Sequence, residues 1–139
     1  MGAWDVTIFG NDDAVDWTYE FVEEEDNRLS FVSFTLDEVF DTPEDEYIEI
    51  EQASYALAAA DVLARLKGQF YDRNEYTEQV DKWVAKHPMA PGKTLVSKAL
   101  KTIDRVLGPE SELNELWKET DDYAAWCSEL EKLKIRLSG

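Results

Sequence analysis

A chain of 139 residues, 44% of them hydrophobic and 12% aromatic, has material for one core and too little for two ordinary domains, so one domain over 1–139 is expected. Five Trp, six Tyr and six Phe exclude a disordered chain, because rings in that number supply more apolar surface than net charge keeps in water. A formal net charge of -17 excludes nucleic acid and anionic lipid as partners, since binding phosphate requires Lys and Arg to displace counterions.

The first element is predicted from Asp12 to Glu25, where Ala14, Trp17 and Phe21, with Val15, Tyr19 and Val22 beside them, recur at three- and four-residue spacing. Asn11 or Asp12 is placed to cap its first turn, and Asp13 and Asp16 then lie near the positive end of the helix dipole. The stretch "LSFVSFTLDEVF" from Leu29 to Phe40 alternates like a strand over its first eight residues, while Leu29, Val32, Leu36, Val39 and Phe40 recur like a helix. A helix is favoured, because no second strand is available to pair with it. "DTPEDE" at 41–46 reads as a turn around Pro43, and a long helix with the small-residue centre "ALAAAD" is predicted from about Asp45 to Lys67, with Gly68 as its C-terminal cap. Small side chains at that centre let neighbouring helices approach closely.

A further helix is predicted over 75–87 through Tyr76, Val80, Trp83 and Val84, and "HPMAPG" with Pro88, Pro91 and Gly92 breaks it. Lys93 to Leu107, Ser111 to Trp117 and about Asp121 to Leu137 complete the pattern. The fold class is therefore all-α: a compact bundle of six or seven helices, or a short stack of helix pairs, with no sheet. Trp17, Phe21, Leu57, Leu63, Leu100, Ile103, Trp117 and Leu130 are its expected core.

One cysteine, Cys127, makes no internal disulfide, and "MGAWDVT" has neither the basic nor the apolar region of a secretory signal, so the cytoplasm is the expected compartment. Met1-Gly2 is not read as a myristoylation signal, because Val6 stands where Ser or Thr is wanted. "YALAAADVLARL" at 55–66 is interrupted by Asp61 and Arg65 and is too short to cross a bilayer, so no membrane is expected as a partner. Nothing in the chain sets the oligomeric state.

The opening "MGAWDVTIFGNDDAVDW" resembles that of a bacterial family of short proteins known only as a domain of unknown function, whose members begin Met-Gly-Thr/Ala-Trp-Gly and continue Phe-Asp-Asn-Asp, Ala and Asp-Trp. Met1, Gly2, Trp4, Phe9, Asn11, Asp12, Ala14, Asp16 and Trp17 match that pattern, whereas Asp5 and Gly10 depart from it. "ALAAADVLARLKG", "SELNELWKE", Trp126 and "KIRL" are similar to the family's later motifs. The resemblance implies an α-helical bacterial domain and carries no activity with it.

Chemistry-bearing constellations are few. Counted from Asp12, the sixth position of a calcium loop is Trp17 where Gly is required, so Asn11, Asp12, Asp13 and Asp16 are read as a helix start and no metal is expected. One Cys and the lone His87 cannot supply a zinc site, and His87, beside Pro88 with no nucleophile motif, reads as an exposed loop residue. Six scattered glycines make no phosphate loop, and no cofactor and no catalytic residue is assigned. Carboxylate pairs such as Asp12 with Asp16 or Asp121 with Asp122 keep a carboxylate-dependent hydrolase as the competing class, though nothing marks one pair out. Lys98, Lys101 and Arg105 share one face of their helix and read as its solvated side, with a basic docking stripe as the second reading.

The charge is uneven. Residues 1–51 hold 17 acids against the single Arg28, a net of -16, and the remainder is close to neutral. "EFVEEED" and "EDEYIEIE" interleave carboxylates with Phe21, Val22, Tyr47, Ile48 and Ile50. Self-repulsion at this density opposes folding, so Glu23, Glu24, Glu25, Asp26, Glu44, Asp45, Glu46 and Glu49 are expected either to meet a basic protein partner or to serve solubility. The function expected is that of a non-catalytic acidic binding module, of an immunity or regulatory kind, which masks a basic protein.

Overall fold

A computed structural model describes residues 6–23 and 28–139, with Arg28 by its backbone only. Among the described residues there are seven helices: α1 (Asp12–Glu23), α2 (Arg28–Phe40), α3 (Ile50–Leu66), α4 (Glu78–Lys86), α5 (Lys93–Val106), α6 (Glu112–Lys118) and α7 (Tyr123–Ser138). The ambiguous stretch 29–40 is helical as favoured, and the end of the first predicted helix, Glu24 and Glu25, lies outside the described residues.

The arrangement is a compact bundle rather than a row of stacked pairs, because α3 packs against all six other helices. Twelve of its 17 residues are buried, among them Ala53, Ala56, Ala58, Ala59, Ala60 and Ala64. A helix that is apolar on most of its surface is stable only when those sides are covered, and the alanines let six neighbours come close. Around it the expected core residues Trp17, Phe21, Leu57, Leu63, Ile103, Trp117 and Leu130 are buried. Leu100 is only half-buried: α5 turns Ala99, Thr102, Ile103 and Val106 inward and leaves Leu100 on the flank.

Capping follows the sequence at both predicted places. Asn11 Oδ1 accepts from the Ala14 amide (2.8 Å) and so caps α1. Gly68, at φ +83°, closes α3: its amide donates to Arg65 O (3.0 Å) and the Gln69 amide to Ala64 O (3.0 Å), the paired bonds of a Schellman motif.

The third helix begins later than predicted. Residues 43–49 are not helical because Ile48 is drawn into the core and its backbone pairs in parallel fashion beside Ser111, the Ile48 amide donating to Glu110 O (2.9 Å) and the Glu112 amide to Ile48 O (2.9 Å). Glu112 Oε1 then accepts from the Ile50 amide (2.8 Å), so a side chain 62 residues away starts α3. The fourth helix is also shortened, since the Asn74 side chain accepts from the Tyr76 amide (2.8 Å) and holds 74–77 in a turn.

Candidate functional site

The described face formed by α1, α2 and α3 carries a groove of about 410 Å³. Its floor is Trp17, held from below: the ring stacks on Phe21 (centroids 5.2 Å apart) and on Phe31 (5.7 Å), and Phe21 meets Trp83 of α4 edge-on (4.7 Å). Trp17 Nε1 donates to Thr35 Oγ1 (3.0 Å), and that hydroxyl donates to Phe31 O (2.9 Å). Phe31, Phe34 and Tyr55 form the walls, and Glu20, Glu38, Glu49 and Glu51 stand around them. Among the described side chains no Lys or Arg lines the groove.

Local electrostatics there are negative. Burial, and then the carboxylates of Glu51, Asp13, Glu20 and Asp16, hold the Tyr55 hydroxyl above its ordinary pKa. Burial, followed by repulsion from Asp16 and Asp12, likewise raises the Asp13 carboxyl.

Of the eight acids expected at a partner surface, the five that are described are not gathered in one place. Glu49 lines the groove with Glu20, Glu38 and Glu51, which the sequence reading did not single out. Glu23 is exposed at the last position of α1, and Glu24, Glu25 and Asp26 lie outside the described residues. Glu44, Asp45 and Glu46 are exposed on the turn after α2, which Arg105 of α5 pins by donating to the carbonyls of Pro43 (3.2 Å), Glu46 and Glu110 (3.1 Å). Lys98 of the same helix is also tied inward, to Asp37 (2.6 Å) and Ser33 (3.2 Å), so Lys98 and Arg105 fasten α2 and the turn in place, while Lys101 between them is exposed as expected. His87 is half-buried instead of exposed, because its ring stacks on Trp83 (4.7 Å) and Nδ1 donates to Trp83 O (2.9 Å).

A second constellation escaped the sequence reading. Arg65, fully buried on α3, donates through Nε to Asp61 (2.9 Å), through Nη1 to Asp81 (2.7 Å) and through Nη2 to Asp72 (2.7 Å). Asp61 also receives Arg136 of α7 (2.6 Å), and Asp81 receives the Thr77 hydroxyl (2.9 Å). Phe9 lies 5.5 Å and Phe70 5.9 Å from the Arg65 guanidinium carbon. Burial outweighs the attraction of Arg65 at Asp72, whose carboxyl is raised first by desolvation and then by Asp61, and its Oδ2 is buried without a partner. The signal was present in the sequence: Asp61 and Arg65, at i and i+4, are the only charges in the alanine-rich stretch 53–66 and have no other charged residue there to share a wet face with. Each of the three Arg65 nitrogens donates to a carboxylate, and the constellation joins α3, α4, α7 and the 67–77 connection as a structural fastening. Among the described residues no group of three or more His, Cys, Asp or Glu is placed to hold a metal ion.

The family model described as a domain of unknown function (DUF4259) matches residues 2–129. The chain belongs to this family. No curated protein and no solved structure matches it. Several residues of the DUF4259 chain on which the likeness was read have structural duties: Phe9 covers Arg65, Asn11 caps α1, and Ala14 and Trp17 enter the core. Trp4 lies outside the described residues. Among those described, no helix is long and apolar enough to cross a membrane.

Proposed function

We propose that this chain is a non-catalytic, cytoplasmic binding module of bacteria that masks a basic protein, in the manner of an immunity or regulatory protein, through the carboxylates of its first third. One observation supports this reading above the others. Among the described side chains, Asp37 is the acid of residues 6–51 that takes part in an ion pair, while the described ion pairs otherwise join acids and bases of residues 61–136. Apart from Asp37, the described acids on α1, α2 and the start of α3 make no ion pair with a described side chain. Uncompensated charge of one sign on one face favours encounter with the opposite sign and repels like-charged competitors.

The test is a paired capture from the source cells, with the natural chain and a variant carrying Lys at Glu23, Glu24, Glu25, Glu46 and Glu49 as baits. A basic protein held by the first at low salt, released at high salt and not held by the second is the expected result. Its association rate should fall steeply as the Debye length shortens from about 30 Å at 0.01 M to about 8 Å at 0.15 M salt. A partner whose affinity ignores both salt and the reversals would leave the acidic third with solubility as its role.

A further inference from the structure

The proposed function asks only for negative charge, yet the groove between α1, α2 and α3 supplies something more specific. Phe34 is 65% exposed on its wall beside the partly buried rings of Phe31 and Tyr55, so the groove presents a joined aromatic surface and not a single stray ring. The floor offers rings and few free polar atoms, because the Trp17 indole N–H is taken by Thr35 and the Thr35 hydroxyl by Phe31 O. A ligand seated there is met by aromatic surface and by carboxylates, and a neutral hydrogen-bonding ligand finds no partner in the Trp17 and Thr35 groups. The volume of about 410 Å³ falls within the roughly 300–1,000 Å³ usual for small binding sites.

Resting on that functional reading, we infer that the groove is the seat of a basic amphipathic segment of the partner protein, an Arg or Lys with apolar neighbours. The stem and the apolar neighbours lie on Phe31, Phe34 and Tyr55, and the cationic heads reach Glu20, Glu38 and Glu51. A cation above an aromatic face gains from the ring quadrupole, and adjacent carboxylates add charge-assisted hydrogen bonds. The carboxylates come from three helices, so a segment with cations along its length meets more of them than one compact cation does. A second copy of the chain carries a net charge of -17, and repulsion between the two copies favours a basic segment over it as the occupant.

The experiment uses the full chain labelled with ¹⁵N and three probes at low salt: a peptide alternating Arg with Leu, a peptide of equal length and charge alternating Arg with Ser, and spermine. The Arg/Leu peptide should bind about tenfold tighter than the Arg/Ser peptide and shift the Trp17 indole signal together with the amides of Phe31, Phe34 and Tyr55. Phe34→Ser should abolish that margin with circular dichroism and melting unchanged, and Glu38→Gln with Glu51→Gln should weaken both peptides. Equal affinities with shifts spread over the acidic face, or a margin that survives Phe34→Ser, would overturn the groove and leave the electrostatic reading standing. Spermine competing as well as the Arg/Leu peptide would overturn a protein segment as the occupant. Failure of both peptides to bind would overturn the groove and the functional reading together.

Discussion

Without Arg65, Asp61, Asp72 and Asp81 would face one another across a buried space with Arg136 as the one remaining interior cation among the described residues. Removing one partner of a buried ionic network strands the others, so Arg65→Met should lower the unfolding free energy by about 3–5 kcal/mol, read from urea denaturation. Arg65→Lys should rescue little of this, because an ammonium cannot meet three separate carboxylates with the fixed fork of a guanidinium. Asp72 makes a pH prediction whose sign follows from its raised carboxyl pKa. The folded state binds that proton more readily than the unfolded state, so its contribution is present below the unfolded pKa and is lost as pH rises through the folded one. The stability of the natural chain minus that of Asp72→Asn should therefore grow as pH falls from 7 towards 4, and an opposite slope in denaturation curves would contradict the placement of Asp72. At the surface, the hydrogen bond donated by Tyr47 to Glu115 (2.6 Å) is the main reason that its hydroxyl is pushed up to about 12. Ultraviolet titration should show that transition return towards the usual value near 10 in Glu115→Gln.

At the scale of elements, α3 decides the architecture and its ends decide α3. Gly68 has open space where a Cβ would go, so the cost of Gly68→Ala is the strain of a positive φ alone, about 1–2 kcal/mol, and should appear as a lower thermal midpoint with an unchanged helical spectrum. Helix existence was legible from apolar spacing and from Asn11, Gly68 and the "HPMAPG" breaker, each of which acts on its own neighbours. The start of α3 was not, because the Glu112 carboxylate and the backbone of 110–112, which hold Ile48 and Ile50, come from far along the chain. His87 was misread for a local reason: its proline-flanked loop suggested exposure, while Trp83, one helical turn earlier, offered a ring to stack on.

For the whole molecule, a net charge of -17 pressed most densely into the first third makes self-repulsion a term that salt can tune. Raising salt from about 0.01 M to 0.15 M should raise the thermal midpoint, and the five Lys reversals named above should leave the midpoint level or higher. A midpoint that falls in that variant would mean that those carboxylates hold the fold together. The acidic surface itself was legible in composition, but of the five expected residues that are described only Glu49 reaches the groove, joined by Glu20 and Glu51, which lie in the quoted acidic stretches without having been singled out, and by Glu38.

The sequence by itself determined an all-helical chain, its caps and breakers, most of its core and the sign of its surface, because periodicity, capping and charge are properties of neighbouring residues or of simple sums. Only the tertiary structure decided that Asp61 and Arg65 are the centre of a buried network, that Lys98 and Arg105 are turned to internal duty, and that carboxylates from three helices meet beside Trp17 and Phe34. Each of these depends on which faces pack together. Burial is what separates a fastening from a solvated charge, and it is a property of the packed chain that no local stretch contains.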